Sequence, residues 1–139
     1  MGSRLDNGYH RGNEDAERGP KIMHLPELKV CCTCVRVPVM RSHSISLAFV
    51  TRDPISEQAA QAVAPAPGCR YISDLDPLYG RNYPTPLDTT DQDLVYVGRI
   101  RRDLIHDNGL CLWCCGDQIR KGAATNAVQI AELLARGQA

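Results

Sequence analysis

A run of β-branched residues near the start of the chain, Val30 to Val39, most constrains how this sequence can fold. Residues of this kind favour strands, and Pro38 cannot donate a hydrogen bond to a sheet ladder, so the strand should end near it. The run carries Arg36 into apolar surroundings, and His43 follows seven residues later. A fully extended chain would hold the two roughly 23 Å apart at about 3.3 Å per residue. If both serve one small ligand, the chain must bend between them.

Arg36 and His43 are the candidate site residues. A planar guanidinium can bind a carboxylate through two parallel hydrogen bonds, and an imidazole titrates near neutrality. Together they suit a small anionic substrate that is handled by acid–base chemistry. From the residues alone, Arg36 can equally be a charge at the rim of a sheet and His43 a histidine in a loop, so both interpretations stay open at this point.

Length and charge limit the function classes. At 139 residues the chain is one domain-sized unit with room for a modest core. Sixteen basic residues balance sixteen acidic ones, which predicts no nucleic-acid partner and no anionic membrane surface. No apolar run approaches the roughly 20 residues of a membrane span, and the N-terminus lacks the apolar core of a signal peptide. We expect a soluble, cytoplasmic protein without a membrane partner.

Seven cysteines are many for this length, and the odd number argues against a closed disulfide framework. Six of them lie inside β-like runs, so buried, reduced thiols are the expected state. Cys31-x-x-Cys34 and Cys111-x-x-Cys114 have the spacing of two zinc hooks. Zinc hooks place both thiolates on a tight turn, whereas residues three apart in a strand face opposite sides. We therefore expect no metal, and keep a zinc-stapled structural domain as an alternative.

The remaining pattern predicts an α+β domain, with one mostly antiparallel or mixed sheet covered by two helices. Alternation and turn signals such as Asp107-Asn108-Gly109 define five strands. Pro54, with Ser56 as a cap, opens one helix, and a stripe of Ala123, Ala127, Ile130, Leu133 and Leu134 defines the other. The predicted strands are Leu28–Val37, Ser44–Thr51, Cys69–Ile72, Val95–Arg101 and Leu110–Cys115; the closing helix is Gln118–Ala135, and a long excursion covers Asp74–Gln92.

The segment C-V-R-V-P-V-M-R-S-H-S, residues 34–44, resembles the arginine and histidine segment of aspartate-semialdehyde dehydrogenase. The tail V-G-R-I-R, residues 97–101, and then G-D-Q-I-R-K-G-A-A-T-N-A-V-Q-I-A-E, residues 116–132, is similar to that family's last strand and closing helix in the same order. The resemblance covers residues 21–139 and is specific, because several separate blocks agree in order and kind. It implies the family's dimerisation and substrate domain.

The resemblance implies a role for each site residue. Arg36 would hold the α-carboxylate of aspartate semialdehyde, His43 would act as general acid/base, and Gln118 matches a position that contacts NADP. The family converts aspartyl phosphate to aspartate semialdehyde by NADPH-dependent reductive dephosphorylation through a cysteine thioester, in the synthesis of lysine, threonine and methionine. Its Tyr-Pro-x-Pro segment, here residues 83–86, packs on a neighbouring subunit. Partners would be the semialdehyde, phosphate, and a second copy or a full-length subunit.

Two parts of the family's machinery do not occur in this sequence. Its nucleophilic cysteine and glycine-rich dinucleotide loop belong to the preceding half, and no cysteine here has the nucleophile context. We therefore expect the isolated chain to be an inactive C-terminal part of the enzyme. A non-catalytic dimerisation module is the alternative. A related enzyme acting on acetylglutamyl phosphate is disfavoured by the R-V-P-V-M-R-S-H block.

Residues 1–20 form an atypical polar arm whose composition, taken alone, predicts disorder. The resembling family has a helix here with a Glu-x-x-Lys substrate or phosphate contact, but the matching positions hold Arg11 and Glu14. One choice of codons for residues 10–19, read one base later, encodes a helix of the family's kind with Glu-Glu-Met-Lys. This predicts a possible frameshift, with a base inserted after Tyr9 and one lost near Pro20, which the nucleotide sequence would test.

Overall fold

The computed structural model describes residues 4–5, 8–9, 18–73, 80 and 82–137. The chain divides into two compact units, Met1–Pro38 and Val39–Ala139. Each unit is described by itself below.

The first unit begins with two short antiparallel strands, β1 (Arg4–Leu5) and β2 (Gly8–Tyr9). Residues 18–22 are helical, and the helix ends in a turn where the Leu25 N–H donates to the Pro20 carbonyl at 2.9 Å. Parts of the polar arm therefore have regular structure, which its composition did not predict. Arg11 and Glu14, on which the frameshift hypothesis depends, lie outside the described residues.

The strand predicted over Leu28–Val37 is absent. Residues 29–37 have no regular secondary structure, and neither of the two sheets among the described residues includes them. Residues 33–38 are all exposed. The physical reason is that β propensity describes how well a side chain fits a pleated, half-buried surface, and it yields a strand only where a neighbouring strand takes up the backbone groups.

The second unit is built on a mixed four-stranded sheet, and all four strands expected in this part of the chain are present. The order across the sheet is β3-β6-β5-β4, with β4 parallel to β5 and the other neighbours antiparallel. The turn at Asn108 and Gly109 forms as predicted, with the Gly109 N–H donating to the His106 carbonyl at 3.0 Å. The bounds are β3 (His43–Val50), β4 (Cys69–Ile72), β5 (Val95–Arg102) and β6 (Gly109–Gly116).

A β-bulge interrupts the β5–β6 ladder. Gly98 lies opposite Trp113 and Arg101 opposite Cys111, so two residues of β5 face one residue of β6. Arg99, inside the bulge, has a φ of 57°, which is uncommon for a residue with a side chain. The bulge bends β5 and re-aims its arginines.

Three α-helices accompany the sheet in the described residues of the second unit. Helix α1 (Glu57–Val63) has the predicted cap, since Ser56 Oγ accepts a hydrogen bond from the Ala59 N–H at 3.1 Å, but it begins three residues after Pro54, which was expected to open it. The short α2 (Pro86–Thr89) lies in the excursion, and α3 (Thr125–Ala135) closes the described chain. The predicted closing helix is divided, because residues Arg120–Ala124 form a π-helical turn before α3. Helix α1 contacts β5, and α2 contacts β6.

The most deeply buried large apolar side chains of the described residues belong to the sheet: Ile72, Leu110 and Cys115 are at most 1% exposed. Residues 82–90 pack on the sheet through Pro84, whose carbonyl accepts from Trp113 Nε1 at 2.9 Å. The stripe predicted to bury α3 stays open, since Ile130, Leu133 and Leu134 are 45–63% exposed.

These observations confirm the α+β class with a mixed sheet. Of the helices in the described ranges, none has the length and apolar character that crossing a lipid bilayer requires.

Candidate functional site

His43 is the first residue of β3 and lies opposite Gly116, the last residue of β6. It is exposed. The sequence placed the strand one residue later, so the histidine sits at the strand end rather than in the preceding loop. A side chain at that end can reach a ligand without disturbing the sheet.

Gln118 follows β6 by two residues and therefore emerges at the same end of the β3–β6 pair as His43. Its Oε1 atom is buried and has no hydrogen-bond partner. An unsatisfied buried amide oxygen is uncommon in native proteins and calls for an explanation. A donor on a bound molecule would supply one.

Arg36 lies in the first unit, in the irregular segment that ends at Pro38, and it is exposed. The expectation that a strand holds it is wrong. Because His43 belongs to the second unit, the pairing of Arg36 with His43 around one ligand stays a prediction.

A strained turn leads into His43. Ser42 has a φ of 76° although it carries a side chain, and it is 3% exposed. Its Oγ lies 3.5 Å from Thr90 Oγ1. A non-glycine residue in this region is costly and persists only where its surroundings enforce it.

Arg41, the residue before Ser42, forms ion pairs with two carboxylates. Its Nε lies 2.7 Å from Asp117 Oδ2, and its Nη1 lies 2.7 Å from Asp91 Oδ1. Pairs that use two nitrogens of one guanidinium fix both distance and orientation. The residue two positions before His43 is therefore anchored to the residue directly before Gln118.

Asp117 is completely buried, forms an ion pair with Arg41 and accepts two backbone hydrogen bonds. Besides Arg41, its carboxylate accepts from the Asp91 N–H at 2.9 Å and the Ile119 N–H at 3.0 Å. Burial alone would raise the pKa of Asp117, but the hydrogen bonds from these two N–H groups and the pair with Arg41 outweigh it and lower the pKa. The carboxylate is therefore ionised at neutral pH.

Arg120 and Asp93 form a second, partly exposed ion pair. Arg120 Nη1 donates to Asp93 Oδ1 at 2.8 Å, and Thr125 Oγ1 contacts the same oxygen at 3.2 Å. The hydrogen bond from Arg120 lowers the pKa of Asp93. These contacts tie the π-helical turn to the residues before β5.

Sequence reasoning missed Arg41, Asp91 and Asp117. One signal was available, because an aspartate just before a helical pattern is a common helix-capping residue, and Asp117 precedes the closing helix. No local pattern predicts that Arg41 meets it, since the two are 76 positions apart and the pairing of β3 with β6 brings them together.

The cysteines of the two units differ in burial. All seven are free. Burial raises the pKa of the Cys114 and Cys115 thiols, as expected for unreactive strand cysteines. Cys31 and Cys34 are exposed, so the expectation that they are buried in a strand is wrong. Within the described part of the chain, no three histidine, cysteine or acidic side chains lie close enough to hold a metal ion.

Known proteins match this chain over most of its length. Residues 6–121 match the family model of the semialdehyde dehydrogenase dimerisation domain. An aspartate-semialdehyde dehydrogenase from Synechocystis is 54% identical over 116 residues, which are 82% of this chain and 33% of that protein. One from Streptomyces akiyoshiensis is 44% identical over 138 residues, 96% of this chain and 38% of that protein. The chain thus spans about a third of the length of these relatives.

Solved structures are also similar to this chain. The crystal structure of aspartate semialdehyde dehydrogenase II from Vibrio cholerae, complexed with ASA, has a TM-score of 0.85 at 39% identity. The match covers 98% of this chain and 40% of that one. A Francisella tularensis aspartate semialdehyde dehydrogenase has a TM-score of 0.75 at 25% identity and covers 96% of this chain and 38% of that one. The chain belongs to the aspartate-semialdehyde dehydrogenase family and corresponds to its C-terminal, dimerisation part.

Proposed function

We propose that this chain is the substrate-binding and dimerisation part of an NADP-dependent aspartate-semialdehyde dehydrogenase, and that it is inactive without a nucleotide-binding half. Within its 139 residues no cysteine has the family's nucleophile context, and no glycine-rich dinucleotide loop follows a strand. The activity therefore requires the complementary half. The same proposal includes the family's role in lysine, threonine and methionine synthesis and a cytoplasmic location.

The observation that carries this proposal is the common end of β3 and β6. His43 begins one strand, Gln118 follows the other, and the cross-strand partners His43 and Gly116 fix their separation. An acid–base group and a cofactor-contacting amide are required side by side when a carbonyl is reduced or oxidised. The two residues are 75 positions apart in the sequence, and the β3–β6 pairing brings them to the same end of the sheet, which supports the proposal.

Each residue has a defined task in the reaction. Arg36 binds the carboxylate of the semialdehyde with its planar fork, which orients the substrate. His43 exchanges a proton with the oxygen of the reacting carbonyl carbon. The thiol that attacks this carbon comes from the complementary half. Since His43 is exposed in this chain, substrate and the second half can both approach it.

The residues present fit a dinucleotide contact. NADP, when bound, supplies the hydride acceptor or donor. Gln118 Oε1 is a buried acceptor without a protein donor, and it would accept a hydrogen bond from an amide N–H of the cofactor. Lys121, by contrast, has its Nζ engaged by Gln129 Oε1 at 2.5 Å. This favours Gln118 over Lys121 as the contact.

A homodimer is the expected assembly, in keeping with the dimerisation domain that the family model describes. Tyr83 of the Tyr-Pro-Thr-Pro segment is 44% exposed, while the neighbouring Pro84 is buried against the sheet. The segment is thus held by its prolines and presents its tyrosine outwards. That arrangement suits contact with a second copy or with a full-length subunit.

A non-catalytic dimerisation module remains the second candidate, supported by the lack of the nucleophile context within these residues. It differs from the first candidate because a dimerisation module does not need residues that bind substrate or carry out catalysis. The zinc-stapled domain has less support, because Cys31 and Cys34 are exposed in an irregular segment and the described residues contain no metal-binding cluster.

The experiment is a chimaera. Residues 21–139 replace the matched part of the Synechocystis relative, and NADP reduction is assayed with aspartate semialdehyde and phosphate. The isolated chain is the control. We expect the chimaera to reduce NADP and the isolated chain to give no rate above background.

Two results would contradict the proposal. Turnover by the isolated chain would mean that the complementary half is not needed. A chimaera that folds and dimerises as the parent does, yet shows no turnover, would support the module.

A further inference from the structure

The residues around Asp117 form a cluster that the proposed reaction does not yet explain. Its members are Arg41, Ser42, Asp91 and Asp117, called here the Asp117 clamp. Two of them, Ser42 and Asp91, are non-glycine residues with positive φ values of 76° and 61°. Strained backbone of this kind gathers at functional sites, where the surroundings hold it in place.

The clamp joins three separate segments of the second unit. Asp117 Oδ2 forms an ion pair with Arg41 Nε at 2.7 Å and accepts a hydrogen bond from the Asp91 N–H at 2.9 Å, while Oδ1 accepts from the Ile119 N–H at 3.0 Å. Thr90 adds a contact to Ser42 at 3.5 Å. The start of β3, the segment before β5 and the end of β6 are therefore bound to one buried carboxylate.

The position of the clamp relates it to the site. Arg41 is two residues before His43, and Asp117 is one residue before Gln118. We propose that the Asp117 clamp is a positioning device, which fixes His43 and Gln118 relative to each other where they leave β3 and β6. The inference rests on the proposed function for the roles of those two residues, but the clamp itself stands on the contacts.

The geometry of Arg41 explains why an arginine is required. Its Nε reaches Asp117 and its Nη1 reaches Asp91, both at 2.7 Å. A lysine carries the same charge on one nitrogen and cannot span two carboxylates with fixed orientation. Arg41→Lys should therefore keep the charge balance of the buried carboxylate while losing the orientation of the turn at Ser42.

The first test is kinetic and uses the active chimaera. Arg41→Lys and Asp117→Asn should lower kcat by about 100-fold, the cost of an ångström-scale misplacement, with the KM for semialdehyde little changed. Asp103→Asn is the matched control, because Asp103 also accepts a backbone N–H, from Ile105 at 3.0 Å, but lies in the β5–β6 turn. Its kcat should equal that of the unmodified chimaera.

The second test uses the full 139-residue chain and needs no activity. Nuclear magnetic resonance relaxation dispersion on the backbone amides should show new microsecond-to-millisecond exchange at both His43 and Gln118 in Arg41→Lys, but not in Asp103→Asn. Arg41→Lys is the milder variant and remains informative if Asp117→Asn fails to fold.

The outcomes separate the two proposals. If the chimaera is inactive or does not depend on His43, the proposed function fails and the relaxation measurement alone decides the clamp. If folded Arg41→Lys keeps the unmodified kcat, or its His43 and Gln118 amides relax as in the unmodified chain, the clamp has only a structural role and the inference is overturned.

Discussion

The effect of replacing Arg36 on substrate binding is the first prediction for a single side chain. It is exposed in an irregular segment, so its removal breaks no buried contact of the described chain. In the chimaera, Arg36→Lys should raise the KM for aspartate semialdehyde by about tenfold or more, because an ammonium cannot reproduce the two parallel hydrogen bonds to a carboxylate. Steady-state kinetics measure this directly.

The control for Arg36 is another exposed arginine of this chain, Arg52. Arg52→Lys should leave the KM unchanged, and both variants should melt at the temperature of the unmodified protein. A loss of thermal stability in Arg36→Lys that parallels the loss of activity would mean that the residue serves the fold rather than the substrate.

Gln118 gives a second prediction for a single side chain. Gln118→Leu removes the orphaned acceptor Oε1 at nearly constant size, so the KM for NADP should rise by about tenfold, roughly the value of one neutral hydrogen bond, while the KM for semialdehyde stays the same. Gln61→Leu in α1 is the matched control. An unchanged KM for NADP in Gln118→Leu would assign the orphaned oxygen to the fold alone.

Among the elements, the β5 strand is the most sensitive to one added atom. A Cβ at Gly98 would lie 2.8 Å from Pro84 Cδ, closer than such atoms approach, so the excursion would have to move off the sheet. Gly98→Ala should therefore lower the free energy of unfolding by about 1–3 kcal/mol. Denaturant unfolding measures the change.

Gly122 provides the control for Gly98. In the π-helical turn, a Cβ at Gly122 would meet only Gln118 Cβ at 3.9 Å, an ordinary contact. Gly122→Ala should be neutral or slightly stabilising, because alanine loses less chain entropy on folding. If Gly98→Ala were as neutral as Gly122→Ala, the excursion would not pack on β5 as described.

The loops between elements determine the response to acid. Hydrogen bonds lower the pKa of three carboxyls from an ordinary value of 3.8. The pKa of Asp103 is lowered chiefly by His106, and that of Asp93 chiefly by Arg120. The third carboxyl is the buried Asp117 described above. Carboxyls with a lowered folded pKa stabilise the protein fully above the unfolded value and lose that contribution as the pH falls through the folded value. The midpoint of thermal unfolding should be flat from about pH 7 to 5 and fall below about pH 4.

The salt dependence of the acid response distinguishes the exposed carboxyl from the buried one. Asp93 and Arg120 are partly exposed, so added salt should weaken their share. Asp117 is buried, and its share should persist at high salt. A midpoint that stays constant down to pH 2 would contradict the lowered pKa values.

The strands, helices and turns show which features of the fold can be predicted from local sequence signals. Strand Cys69–Ile72 and the Ser56 cap follow from local signals, since alternation and a capping hydroxyl act within a few residues. The bulge at Arg99 and the turn at Ser42 have no such signal, because their φ values are imposed by cross-strand pairing and by Arg41. The strand expected at Leu28–Val37 is absent for the same reason: a strand depends on its partner.

Over the whole molecule, the roles of the site residues stay predictions. His43 and Gln118 were chosen from the resemblance, and the fold brings them to one end of the β3–β6 pair. The clamp beneath them was not foreseen, since contacts between residues 76 positions apart carry no local pattern. The exposed apolar side chains of α3 indicate that this face is free in the chain described. A complementary half or a second copy would be expected to cover such a surface.

The role of His43 is tested by the kcat of the chimaera carrying His43→Asn, compared with His106→Asn. His106 binds Asp103 in the β5–β6 turn and is the matched control. We expect His43→Asn to lower kcat by about 100-fold to 10,000-fold without loss of folding, and His106→Asn to keep it. If folded His43→Asn turned over as fast as the unmodified chimaera, His43 would not be the acid–base group and the proposed function would be wrong.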